Sequence, residues 1–538
     1  MSHSITHIPV LIAGGGPSGL ASALELSRRG IASLVVEPRT EVDAQRPRAK
    51  TTNARTMTHL RRWGLADELR AQSPLPVEYA QDIVFCSTLL GREITRFANG
   101  FQLDTAQPTL APEQGQQVPQ PVVENVLRDA VAASEHATLE LGSRLVDCHE
   151  LADGTIEATV EYDGSTRTVR ADYLLGCDGG ASVVRRAIGA SFEGSSGERP
   201  NLSIMFRAPG LAERVPFDNA IHHWVMAPGA AGIVGRLDLD DTWWAIVQGV
   251  DVRTDDVNPV ELVHRLIGEP LPVEVIATDP WVARMLLSDS YSRGNIFLVG
   301  DSAHQNPPWG GHGFNTCIGD AVNIAWKIAA TINGWGGPHL LDSYGAERRP
   351  VAARTIADAG SQESALAHHF SAVELGQDGP AADEARRQTA AALSVKKSEF
   401  HSLGLVLGYS YPSSPIVVGD GSVAPAEDPI EYTPSACPGS LLPHAWLSDD
   451  RSLYDALGAG FTLLVADDVR ADVSGVVARA EELGIPLTVV ELGAGDLTDP
   501  PADFFGAALV LVRPDQHVAW RGDDVTAAEK AIATVAGW

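Results

Sequence analysis

Residues 7–37 pass from a continuous apolar run, HIPVLIA, through three glycines into PSGLASALELSRRG, whose apolar positions recur at helical spacing, and then into a second apolar run, IASLVVEPR. The pattern predicts one strand–helix–strand unit. A loop, RPRAK, and an amphipathic helix through THLRRWGLADELRA come next; residues 74–119 are rich in Pro, Gln and Gly with strand-like pieces such as DIVFCS. VPQPVVENVLRDAVAAS predicts a helix announced by proline, and TLELGSRLVDCHEL, TIEATVEY and TRTVRADYLLGCDGG predict a β-meander. Between 201 and 250, NLSIMFRA, AIHHWVM, AGIVGRLDL and TWWAIVQGV predict an antiparallel sheet with one buried face. Strand, turn and helix return over 294–335, Ala-rich helical sequence fills 344 to about 404, and a Pro/Gly-rich connector covers 413–440. The last hundred residues reset to a small α/β pattern.

The fold class expected from this order is α/β, with a second domain inserted into the first. Residues 1–185 are expected to form the first part of the first domain, with an excursion near 76–118, and 186–285 an inserted β-sheet domain. Residues 286–412 return to the first domain and add a helical segment, and 413–538 are a linker and a C-terminal domain.

Composition narrows the function. A formal charge of −29 repels phosphate backbones and anionic head groups, which argues against nucleic acid or a membrane surface as partner. Nothing approaches the ~20 apolar residues of a membrane span, and the N-terminus lacks a basic segment before its first strand. The five cysteines, at 86, 148, 177, 317 and 437, contain no CxxC pair, which disfavours a disulfide framework or a zinc site and fits a reducing cytoplasm. No metal is expected, because no His/Asp/Glu cluster has ligand spacing.

Three motifs carry chemistry. Gly14-Gly15-Gly16-Pro17-Ser18-Gly19 is GxGxxG between a strand and a helix, with Glu37 about 20 residues later at the end of the second strand. Glycines there permit a tight turn and let a pyrophosphate reach the helix N-terminus, and Glu37 would hold a ribose hydroxyl. Asp178-Gly179 follows the strand DYLLG, and Gly300-Asp301 ends the apolar run IFLV. An acid at a strand's carboxyl end in an open α/β sheet lies in the ligand crevice.

Together and in this order the motifs resemble the class A flavoprotein monooxygenases, single-component aromatic hydroxylases that carry FAD and consume NADPH or NADH, and within them the phenol and dichlorophenol hydroxylase branch. The resemblance implies a Rossmann-like FAD-binding domain, an antiparallel-sheet substrate domain and a thioredoxin-like C-terminal domain. Cys437 has no CxxC partner, so the tail is expected to be structural, for instance in a homodimer, rather than to exchange disulfides. By the same resemblance, Gly14, Gly16, Pro17, Ser18 and Gly19 meet the FAD pyrophosphate, Asp178 and Gly179 serve FAD and the reduced nicotinamide, and Gly300 and Asp301 meet the ribityl chain. Arg46 and Arg48 resemble arginines that meet the flavin and its phosphates, and Gln120 and Arg128 lie on a helix that supports FAD.

The implied activity is insertion of one atom of O₂ ortho to a phenolic hydroxyl through a flavin C4a-hydroperoxide. That species needs a dry pocket. Pro307 and Pro308 are expected to form a rigid wall at the flavin edge, and Gly310, Gly311 and Gly313 to let backbone amides approach it. A helix starting near Asn315, just after Phe314, would aim its positive end at the flavin N1–C2=O locus. Pro307, Lys50, His223 and Arg236 are the expected groups at the substrate. Adjacent His222 and His223 face opposite sides of a strand, so one at most reaches the pocket. Trp243 and Trp244 are expected in the core, and His304 and His312 border the flavin loop without an assigned role. Epoxidation or Baeyer–Villiger oxygenation of a polyketide-like molecule is the alternative within the fold, and a non-catalytic flavin-binding scaffold the alternative outside it. DTWWAIVQG lacks the WxWxIP pattern of flavin-dependent halogenases.

Overall fold

Val10 to Ala13 are buried because their strand, Thr6–Ala13, lies between two parallel neighbours, Ser33–Glu37 and Ser165–Gly176. Covering on both faces explains why the sequence there runs apolar without alternation. Ala137–Leu141 continues the parallel order on one side and Ile296–Leu298 on the other, and the strands Ser143–Glu150 and Ile156–Tyr162 extend antiparallel from Ser165–Gly176. A strand near residue 296 therefore completes a sheet begun at residue 6. Its carboxyl end delivers Gly300 beside the glycine turn, where a Cβ on Gly300 would stand 2.4 Å from Ser18 Oγ. These relationships come from a computed structural model that describes residues 6–538 apart from 227, 230, 255, 364–368, 467–470 and 494.

The second sheet has eight strands in the order His304–Gln305, Glu274–Ser288, Phe192–Arg207, Thr242–Gln248, Gly232–Arg236, His222–Val225, Ile83–Cys86 and Glu93–Phe97. The segment near 76–118 thus contributes two strands to it. The sheet is antiparallel except that Ile83–Cys86 pairs parallel with His222–Val225, since this strand arrives from the first domain rather than through a hairpin. The boundary expected at 285/286 falls inside Glu274–Ser288, whose alternating exposure blurs its end in the sequence.

The tail forms a four-stranded sheet, Leu487–Leu492, Phe461–Ala466, Leu509–Val512 and Val518–Gly522, with the first joint parallel and the others antiparallel. Trp326, Trp335 and Leu340 of the first domain share one apolar core with Phe461, Leu509 and Val535 of the tail. Beside that core lies a buried charge cluster in which Glu347 meets both Lys327 and Arg513. Among the described residues no helix is long and apolar enough to cross a membrane, and no group of three or more His, Cys, Asp or Glu could hold a metal ion.

Candidate active site

A cavity of about 1010 Å³ runs from the carboxyl edge of the first sheet to the inner face of the second. At one end it is lined by Gly14, Gly16, Pro17, Ser18, Glu37 and Arg39. Gly14 sits at φ +104°, and a Cβ there would lie 2.3 Å from Cys177 O, so the turn admits only glycine. Gly16 is different: a Cβ on it meets no protein atom within 4 Å, so its missing side chain leaves free space in the cavity. Gly16 is also the N-cap of the helix Pro17–Ser27 and no side chain caps that terminus, which leaves first-turn amides for an anion. Gly19 does not line the cavity. Its Cβ would come within 1.9 Å of Gly14 O, so the third glycine serves helix–strand packing.

Glu37 is held by its surroundings. Its Oε2 accepts from the Gly15 N–H at 2.7 Å, and its Oε1 accepts from the Arg39 backbone and Nε at 2.9 and 2.7 Å. Arg39 also reaches Glu124 Oε1 at 2.7 Å. Arg128 corrects the sequence expectation: it pairs with Glu124 at 3.4 Å one helical turn on and is not among the cavity-lining residues, so it supports the wall from behind. Gln120 does line the cavity, and its N–H donates to Ala49 O at 2.8 Å.

Asp178 Oδ2 accepts from the Val183 and Val184 amides, at 2.6 and 3.2 Å, in the first turn of the helix Val183–Ala187, which Ser182 caps, while its buried Oδ1 has no protein partner. Gly179, at φ +74°, again has an open Cβ position on the cavity. Gly300 lies behind the surface, but Asp301 lines it and accepts from Cys317 Sγ at 3.5 Å.

Farther along, Asn306, Pro307, Pro308, Trp309, Gly311, Gly313 and Phe314 form the wall. The helix begins at His312, three residues before the expected start, with Gly311 as N-cap at φ +66° and no side-chain cap. Asn315 is therefore already inside the helix and turned from the cavity; its Oδ1 accepts from the Asn53 N–H at 3.0 Å and its Nδ2 donates to Gly311 O at 2.8 Å. It ties the wall to the first domain rather than facing the cavity.

An aromatic slot formed by Phe101, His222, Trp244 and Trp281 adjoins this wall, whose Trp309 ring lies 6.2 Å from that of Trp281. Lys50 enters it with Nζ 4.1 Å above the Trp244 ring and donates to Arg48 O at 2.7 Å. Enclosure by the cavity walls lowers its pKa from 10.5 to about 7. Trp224 Nε1 donates to His222 Nε2 at 3.2 Å, which leaves the ring hydrogen on Nδ1. Burial lowers the His222 pKa to about 3, so the ring is neutral at physiological pH.

Two expected substrate groups are elsewhere. His223 points to the opposite face of its strand, beside Phe217, because alternate residues of a strand face opposite ways. Arg236 ends its strand and donates to the carbonyls of Asp238 and Asp240 at 3.0 and 2.7 Å, closing the hairpin outside the cavity. Trp244 is not a core residue only, since it faces the cavity, whereas its neighbour Trp243 packs in the core. Arg48 lines the cavity at φ +45°, and Arg46 grips Asp279 of the second sheet through bonds of 2.8–3.1 Å. Trp281 and Glu399 also line it, although the sequence does not single them out, and of the two adjacent histidines weighed from the sequence it is His222 that lines the cavity.

The FAD binding domain family matches residues 7–359, and the aromatic-ring hydroxylase C-terminal family matches residues 435–538. The chain belongs to the FAD-dependent aromatic-ring hydroxylases. It is a flavoprotein monooxygenase, and its cofactor is FAD. The phenol 2-monooxygenase of Pseudomonas sp. (strain EST1001) is 30% identical over 97% of this chain and 91% of that protein. Among solved structures, the rebeccamycin biosynthetic enzyme RebC with reduced flavin is 33% identical at a TM-score of 0.89, covering 99% of both chains. A ternary complex of aklavinone-11 hydroxylase with FAD and aklavinone matches at 27% identity and a TM-score of 0.85 over 100% of both.

Proposed function

We propose that this flavoprotein hydroxylates a phenolic ring, converting phenol, O₂, NAD(P)H and H⁺ to a catechol, water and NAD(P)⁺. The observation that carries the reading is Lys50: an amine with a pKa of about 7, held over Trp244 in an aromatic slot that opens onto the flavin-binding wall. A neutral amine there accepts the phenolic proton, which makes the ring electron-rich, and the ammonium that results holds the phenolate. His222, whose ring hydrogen is on Nδ1, lines the same cavity and would be a second donor to the phenolic oxygen.

FAD fits the remaining cavity. The empty Cβ positions of Gly16 and Gly179, the uncapped helix at Pro17 and the unpartnered Asp178 Oδ1 suit a group with a pyrophosphate and hydroxyls. Glu37 would take a ribose hydroxyl, the amides after Gly14 the pyrophosphate, and Asp301 the ribityl chain. Pro307, Pro308 and the uncapped helix at Gly311 would meet the ring system. FAD, reduced by NADH or NADPH, supplies the activation of O₂, and the prolines and tryptophans keep water from that reaction.

A fused polycyclic phenol is the second reading, favoured by the likeness to the structure solved with aklavinone. The five free cysteines suit a reducing cytoplasm. The test is a panel of single-ring and fused phenols added to holoenzyme with NADH or NADPH. Nicotinamide oxidation accelerated by a phenol supports the reading, and a rate indifferent to every phenol contradicts it.

A further inference from the structure

His304 is completely buried, next in sequence to Gln305 of the cavity lining, and lies between two acceptors. Its Nε2 is 2.7 Å from Asp320 Oδ2 and its Nδ1 is 3.0 Å from Asn306 Oδ1. The directions of these bonds are fixed from outside. Thr355 Oγ1 donates to Ala352 O at 3.0 Å, so it accepts from Asn306 Nδ2 at 2.9 Å, and this turns the Asn306 carbonyl oxygen toward His304. Both ring nitrogens of His304 therefore donate. Asp320 is anchored in turn: its Oδ1 accepts from Arg348 Nε at 2.7 Å, and its Oδ2 also accepts from the Gly300 N–H at 3.3 Å.

Asn306 carries this network to the cavity surface. It lines the cavity and precedes Pro307 and Pro308, which have no N–H and so cannot anchor the wall by amide donation of their own. We propose that His304 is a positioning residue that, through Asn306, sets the place of the Pro307–Pro308 wall against the flavin and the phenolic ring. Asp320 and Arg348 hold the imidazole, and Asp320 couples it to the Gly300–Asp301 turn, so both sides of the cavity share one buried reference point. The part of this inference that concerns the phenolic ring rests on the proposed hydroxylation; the part that concerns the flavin does not.

Two amide substitutions separate positioning from mere filling of a buried site. In His304→Asn the amide nitrogen takes the place of Nδ1 and keeps the bond to Asn306. In His304→Gln it takes the place of Nε2 and keeps the bond to Asp320. Holoenzymes are compared by the visible spectrum of bound FAD and by hydroxylated product formed per NAD(P)H consumed. Asn306→Ala, which leaves the His304–Asp320 pair intact, is the third variant and decides the matter if a His304 variant does not fold. The proposal expects His304→Gln and Asn306→Ala to shift the flavin spectrum and lower the product ratio by about tenfold, as a wall displaced by a fraction of an ångström would. It expects His304→Asn to recover most of both. A His304→Gln or Asn306→Ala enzyme with the wild-type spectrum and ratio overturns it, as does a His304→Asn enzyme no better than His304→Gln. If the wild-type enzyme hydroxylates no phenol, the proposed reaction fails while the flavin spectra still decide the positioning.

Discussion

Arg513 of the C-terminal domain forms a two-pronged ion pair with Glu347 of the first domain, at 2.6 and 2.8 Å, with both side chains wholly buried. Lys327 reaches the same carboxylate at 2.6 Å from the helix that begins at the cavity wall, and Asp515 completes the charge balance on Arg513. The tail is thus fastened to the helix His312–Ile332 by compensated charge as well as by the shared tryptophan core.

Removing one partner leaves the others buried without compensation. Arg513→Ala is expected to lower the unfolding free energy by about 3–5 kcal/mol, read as a fall in the denaturation midpoint. The cations hold the Glu347 carboxyl below its ordinary value of 4.5. Its contribution is complete above that pH and declines as pH falls toward the lower folded value, so the Arg513→Ala deficit should shrink in acid.

Gly16 and Gly19 are both motif glycines, but they should fail differently. Gly16→Val places its side chain in open cavity space, so the apoprotein should melt near the wild-type temperature while FAD binding is lost. Gly19→Val drives a side chain into Gly14 O and should lower stability with or without FAD. Thermal melts of the apoproteins and flavin titration separate the two.

Asp301→Ala removes a charged acceptor at the cavity edge. FAD affinity should fall by about 1.5–3 kcal/mol, measured by flavin titration of the apoprotein.

Lys50 makes the reaction sensitive to pH. Its amine becomes neutral as pH rises through about 7, so turnover should climb across that pH and level off above it. Lys50→Met should flatten this limb and lower turnover by about 10²–10⁴-fold, measured by steady-state pH profiles. The same shift acts on stability with the opposite sign from a paired lysine. Burial opposes the charge at low pH, and that penalty is relieved from about 7 up to the unfolded value of 10.5, so wild-type stability should gain over Lys50→Met in this range.

The glycine-turn end of the site is legible in the sequence because its residues are placed by local backbone geometry, a tight turn and strand ends, even where a carboxylate is the group that faces the cavity. Gly14, Gly16 and Glu37 are dictated by a tight turn and a strand end, which leave a local signature. Asp178 and Asp301 obey the same logic at two further strand ends. The substrate end is not legible, because its residues are brought together by sheet pairing over long separations. Strand alternation predicts that His222 and His223 diverge, but the face that meets the cavity depends on pairing with Ile83–Cys86 and Gly232–Arg236. Arg236 looks like a pocket cation in sequence, and its use in closing a hairpin emerges only from the carbonyls of Asp238 and Asp240. Likewise, the start of the helix at His312 depends on Gly311 adopting a left-handed conformation, which the run of glycines permits without placing.

Transfer of one oxygen atom from O₂ to a phenolic ring bound beside Lys50 is the step on which the proposed function stands or falls. Turnover of holoenzyme with NAD(P)H, a phenol and isotopically labelled O₂, with mass measurement of the product, reads that transfer directly. One labelled oxygen in a catechol, lost in Lys50→Met, is the predicted result; nicotinamide consumption that yields only hydrogen peroxide with every phenol, or product oxygen derived from water, would contradict it.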